Sequence, residues 1–225
     1  MSEEERSDSS WLLKAVQAVA ISPAEVKKIV ERYAKQSRKK YPNDSDWHHQ
    51  ERVADAIISR YSKYAAMVGG ATALPGIIPG LGTAITMVPG TLADLTVSMK
   101  LQVDMCMCLA ATFGYDIESE DASYLSFLIA AGGALEKAGV STGTKVGSKA
   151  GVRLLKQILR GAALKAVKGA FRKVGITFTR KALEKALPFG VGVAVTGGAD
   201  YVLTRYVGKQ AKKWFVIDRS MPDEN

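Results

Sequence analysis

Thr91 to Phe113 reads TLADLTVSMKLQVDMCMCLAATF, and the fold turns on how this stretch is read. Leu92, Leu95, Val97, Met99, Leu101, Val103, Met105, Met107 and Leu109 leave no wide polar face at helical spacing. A helix that is apolar almost all round belongs in the middle of a packed protein. Gly114 is placed to stop it, since glycine takes the left-handed conformation that ends helices. The stretch therefore predicts a central helix with others arranged around it.

Working outward, residues 64–93 carry no charge and read YAAMVGGATALPGIIPGLGTAITMVPGTLA. A spanning helix needs about 20 predominantly apolar residues. Pro75, Pro79, Pro89 and six glycines cut this run into shorter pieces, and GIIPGLG (Gly76 to Gly82) reads as the bend of an apolar hairpin. Three readings compete: buried core, shallow insertion into one leaflet, and a hairpin that spans the bilayer. The apolar residues at stake are Leu74, Ile77, Ile78, Leu81, Ile85 and Met87.

Helical signals continue on both sides. A short amphipathic stretch from Trp11 to Ile21 is capped by Ser9 or Ser10. Ser22-Pro23-Ala24-Glu25 is a capping box with proline at the first helical position. After the Tyr41-Pro42-Asn43-Asp44 turn, Ser45 or Asp46 caps a helix with Val53, Ile57, Ile58, Tyr61 and Tyr64 at helical spacing. Ser119 caps another, through Leu125, Leu128, Ile129 and Leu135, ended by Gly139. Helices are read up to Lys173, from about Thr177 to Leu187, and from Asp200 to Phe215. Up to about Val68 no stretch alternates with period two. The expectation is an all-α, single multi-helix bundle of closely packed Gly/Ala-rich helices with a central apolar helical hairpin. Residues 1–9 read as a disordered acidic N-terminus, 10–217 as the domain and 218–225 as a flexible tail.

Charge is uneven. The chain of 225 residues carries +9, yet the segment Lys137–Lys185 alone carries +12, with Glu184 its one acid. Such asymmetry suits an anionic partner, although a solvated face that aids solubility has the same composition. From Val140 to Arg160 a continuous helix would bring Lys145, Lys149, Arg153, Lys156 and Arg160 within an arc of about 80°. Gly143, Gly147 and Gly151, with Leu154 and Ile158, would form the opposite, closely packing face. A second basic stripe comprises Arg205, Lys209, Lys212 and Lys213, opposite Leu203, Val207, Ala211 and Trp214.

The chemistry of an active site is hard to assemble. GVSTGTK at Gly139–Lys145 lacks the adjacent Gly-Lys and the preceding strand of a phosphate-binding loop. His48 and His49, on neighbouring helix positions and read as exposed, diverge too far to share a metal. Cys106 and Cys108 likewise diverge, and their number suits a reducing compartment. Asp94 and Asp104 are better read as caps, or as partners of a lysine such as Lys100, than as a proton-transfer pair. No enzyme activity, cofactor or metal is expected.

The apolar run Gly69-Gly70-Ala71-Thr72 followed by Pro75-Gly76 and Pro79, then Asp94, then Phe113-Gly114-Tyr115-Asp116, resembles the bacterial EcsC-like family. The ending GGADYVLTRYVGKQAKKWF (Gly197 to Phe215) is similar to that family's ending. Together these parts cover about a third of the chain. The resemblance implies an all-helical domain without established catalysis, of a family described as membrane-associated or of uncertain function. Asp94, Gly114, Tyr115, Asp116, Thr204 and Gly208 occupy the motif positions, where a structural role is expected of them.

Two basic stripes and an apolar bend together suit peripheral association with anionic phospholipid at the cytoplasmic face of a membrane. A groove holding an acyl chain is the same physics turned inward. The alternative is a soluble module that meets a protein partner through its small-residue helix faces. Nonspecific nucleic-acid binding is weaker, because only Phe171 and Phe178 interleave with the basic segment.

Overall fold

A computed structural model describes residues 12–68, 91–140, 143–186 and 198–222, with side chains described except at 68, 91–93 and 179–186. The acidic N-terminus 1–9, the bend residues Leu74, Ile77, Ile78, Leu81, Ile85 and Met87, and the segment 189–197 lie outside the described residues.

Every regular element among the described residues is a helix: α1 (residues 12–19), α2 (Pro23–Lys40), α3 (Asp46–Val68), α4 (Thr91–Thr112), α5 (Glu120–Lys137), α6 (Lys149–Gly161), α7 (Ala163–Ala186) and α8 (Gly198–Ser220). The fold is an all-α bundle. Local chemistry sets its joints. Ser22 accepts from the Glu25 N–H while the Glu25 carboxylate reaches back, so the capping box forms as read. Ser45 accepts from the His48 N–H at the start of α3, and Ser119 accepts from the Ala122 N–H at the start of α5. At Gly114 the backbone turns left-handed, with φ +88°, and the Tyr115 N–H donates to the Ala110 carbonyl, closing α4. Asp116 then accepts from the Glu118 N–H.

α4 is the centre. Every side chain from Met99 to Ala110 is buried, and α2, α3, α5, α7 and α8 all touch this helix. α8 lies along α3, α4 and α5, and α6 bridges α8, α5 and α7. One apolar cluster collects residues from all eight helices. The cluster closes on an aromatic group in which Phe113 stacks on Phe215 at 5.7 Å and Tyr115 meets Phe215 edge-on at 5.1 Å.

Close approach through glycine is real, but it follows a different plan from the expected ridge. At Gly208 a Cβ would come within 2.9 Å of Ile58 Cγ1 and Met105 Sδ, so α8 presses on α3 and α4 there. Gly133 faces Val207 in the same way.

The structure departs from the sequence pattern at four places. No helix runs from Val140: residues 143–148 form turns and α6 begins only at Lys149, because Gly143 is left-handed at φ +78° and Ser148 is the N-cap of α6. Lys145 therefore stands off the helical stripe, and Gly143, Gly147 and Gly151 form no continuous helix face. Leu154 is 42% exposed rather than packed. α7 is one helix to Ala186, with no break before Thr177. His49 is buried, its Nδ1 2.8 Å from Ser37 Oγ, so α2 covers the start of α3. In addition, α8 continues to Ser220, three residues past the expected domain end, and its last turn holds Asp218.

Candidate functional site

The basic surface is assembled by the turn between α5 and α6. Gly139 ends α5 in the left-handed region and sends the chain back across α8. Glu136, at the end of α5, accepts from the Val146 N–H at 3.2 Å and from the Tyr206 hydroxyl of α8 at 2.5 Å. That double acceptance ties turn to helix; burial first, and the Glu136 carboxylate second, raise the Tyr206 phenol to about 12. Gly147 then fits against α8 so closely that a Cβ would lie 3.0 Å from both the Gln210 carbonyl oxygen and Lys213 Cβ. Ser148 accepts from the Gly151 N–H at 3.1 Å and starts α6. The turn carrying Lys145 and the first residue of α6, Lys149, are thereby set against the α8 turn that carries Lys213, one turn on from Lys209.

The nine sequence-derived cations divide into groups. Lys145, Lys149, Lys209 and Lys213 are exposed and make no ion pair among the described residues. Arg153 and Arg160 are also exposed, on the outer side of α6. Arg205 is half-buried against Tyr201, its Nη1 3.4 Å from the hydroxyl. Two are structural. Lys212, with a side chain only 19% exposed, lies 2.9 Å from Asp55 and 3.7 Å from Glu51 of α3. Lys156 lies 2.6 Å from Asp218 Oδ1. The α6 and α8 stripes thus meet at their turn-proximal ends, while Lys156 and Lys212 fasten helices together.

Asp218 is the residue the sequence did not announce. It accepts the Tyr115 hydroxyl as well as Lys156, linking the end of α4, the middle of α6 and the last turn of α8. Burial first, and the carboxylate second, push the Tyr115 phenol well above its ordinary range. A lone aspartate in a predicted tail gives no periodic signal. A second unannounced feature is a row on α7: Lys165, Lys168 and Arg172, all exposed, at the i, i+3, i+7 spacing that would have revealed it.

The remaining motif residues sit at helix joints. Asp94 is exposed in the first turn of α4 and stands near Asp200 in the first turn of α8, where burial and then the Asp94 charge raise the Asp200 carboxyl. Carboxylates belong at helix N-termini. Thr204 is buried, and Gly208 lets α8 cross α3 and α4 closely.

Inside the bundle, Lys100 and Asp104 pair one turn apart on α4, with side chains 0% and 2% exposed. Asp104 Oδ1 also accepts the Ile21 N–H at 2.9 Å, fixing the α1–α2 junction to the central helix. Burial lifts the Asp104 carboxyl to about 6 even though Lys100 and that N–H pull it down. The Cys108 thiol, pushed up to about 12 by burial, lies 3.6 Å from the Tyr61 hydroxyl, and Cys106 is buried as well.

A cleft of about 240 Å³ opens beside Ile21, floored by Val103, Met107, Ile117 and Phe127 and rimmed by Glu118 and Ser119. That is below the range of about 300–1,000 Å³ usual for small-molecule sites. Among the described residues no cluster of three or more His, Cys, Asp or Glu could hold a metal, and no helix is long and apolar enough to cross a membrane. Comparison with protein-family models, with curated proteins and with solved structures gives no match to this chain.

Proposed function

We propose that the chain is a non-enzymatic helical domain that associates peripherally with anionic membrane, at the cytoplasmic face, or binds lipid there. The observation that carries this reading is the meeting of Lys145 and Lys149 with Lys209 and Lys213 across the Gly147 contact, exposed and without ion pairs among the described residues. Near an anionic surface each such residue contributes about 1 kcal/mol, so four adjacent ones give useful attraction that salt weakens. The resemblance of the motif residues to EcsC-like proteins agrees with this reading, as does the uncharged apolar run at 64–93.

The protein-module alternative has less support. The glycines at 133, 147 and 208 already receive Val207, Gln210 with Lys213, and Ile58 with Met105 of the chain itself. Those small-residue faces are therefore filled. Co-sedimentation with phosphatidylglycerol-containing and with pure phosphatidylcholine vesicles tests the proposal. Pelleting with the first and not the second is the expected result. No pelleting with either rejects it.

A further inference from the structure

The outer face of α7 carries a combination that a solvated helix face has no use for. At 100° per residue, Leu164, Lys168, Arg172, Lys165 and Ile176 fall within an arc of about 120°. The side next to Leu164, which carries Val167, Phe171 and Val174, is buried in the core, with Phe171 packed on Phe127 at 5.3 Å. The arc itself faces outward. Its three cations are exposed, and Leu164 and Ile176 are 43% and 47% exposed. Five large apolar side chains are exposed among the described residues. Two lie on this arc, and a third, Leu154, lies in the middle of the neighbouring helix α6.

We infer that α7 is the interfacial helix of this protein, lying flat on an anionic bilayer with Lys165, Lys168 and Arg172 at the phosphates and Leu164 and Ile176 in the acyl boundary. This rests on the membrane reading above and extends it to a surface distinct from the Gly147 junction. Complementarity identifies the occupant. Three cations call for an anionic surface, and two flanking aliphatic side chains gain nothing from a nucleic-acid backbone but gain burial in a lipid interface. Lysine and arginine stems can reach phosphates from a helix partly sunk in the headgroup layer.

The test uses the full chain and two variants. In the first, Lys165, Lys168 and Arg172 are replaced by glutamine. Exposed side chains on a helix whose other face is core leave folding intact, which circular dichroism and a thermal melt verify. Partition into phosphatidylglycerol–phosphatidylcholine vesicles should fall roughly tenfold or more. In the second, Ile176→Cys carries an environment-sensitive nitrobenzoxadiazole label, which the buried Cys106 and Cys108 do not compete for. Its emission should shift to the blue on adding those vesicles, while the same label at Lys28→Cys on α2, which does not touch α7, should stay water-like. If the unmodified chain binds the vesicles but the glutamine variant binds equally well, or the Ile176 label stays water-like, this inference is wrong and the membrane reading stands. If the unmodified chain binds neither anionic nor neutral vesicles, both are wrong.

Discussion

Gly147 rests against Lys213 with no room for a side chain: a Cβ on the glycine would lie 3.0 Å from Lys213 Cβ and equally close to the Gln210 carbonyl. This contact joins two groups of lysines that lie far apart in sequence. Gly147→Val should push the turn from α8 and destabilise the fold by about 1–3 kcal/mol, as overpacking does. Urea denaturation measures the loss. A variant as stable as the parent would mean that the turn is held elsewhere.

The Lys100–Asp104 pair makes a second prediction. Removing one partner leaves the other buried and uncompensated, so Lys100→Met or Asp104→Leu should each cost about 3–5 kcal/mol. Replacing both, as Lys100→Met with Asp104→Leu, should restore most of the loss, although the Ile21 N–H then lacks its acceptor. Denaturation of the two single variants and the double variant gives the coupling directly. Additive losses would contradict the pairing.

Asp104 also sets a pH dependence. Its carboxyl rises from the ordinary range near 4 to about 6 in the folded chain, so the folded state holds its proton more tightly than the unfolded state. Stability from this group is complete below about pH 4 and is lost as pH rises through 6, by the linkage between proton uptake and folding. Between pH 4 and 6 the parent should lose more stability than the Met/Leu double variant, whose curve lacks this component. Parallel curves for the two would contradict the assignment.

Tyr115 and Asp218 form the third tie. Tyr115→Phe removes the phenol hydroxyl from a carboxylate that Lys156 also holds, and should cost about 1.5–3 kcal/mol, the range for bonds to charged groups. Asp218→Asn should cost more, because it weakens both contacts. Truncation before Asp218 should exceed either, since this residue belongs to α8 rather than to a tail. Thermal melts of the three decide the order.

The bundle was legible where local chemistry and periodicity agree. Ser22 with Glu25, Ser119, and Gly114 mark joints that the structure reproduces, and the lack of a polar face between Val97 and Leu109 marks the centre. The basic site was legible only in part. Spacings of three and four residues continue from Lys145 to Arg160, so they mimic one helix. The break lies in the backbone at Gly143, whose left-handed φ leaves no mark on the side-chain pattern. Which cations are consumed internally was not legible either. Lys212 and Lys156 look like Lys209 and Lys213 until Asp55, Glu51 and Asp218 arrive from other helices. The closure of Phe113 on Phe215 needs the whole chain folded, yet it joins the two stretches on which the family resemblance rests.

The most direct measurement concerns the four lysines at the Gly147 junction. Lys145, Lys149, Lys209 and Lys213 are replaced together by glutamine, and vesicle partition is measured against phosphatidylglycerol content and salt. The expected result is an unchanged melting temperature, at least a roughly tenfold weaker partition, and a shallower salt dependence than the parent shows. Equal partition of variant and parent into anionic vesicles, or equal binding of the parent to neutral and anionic ones, would contradict it.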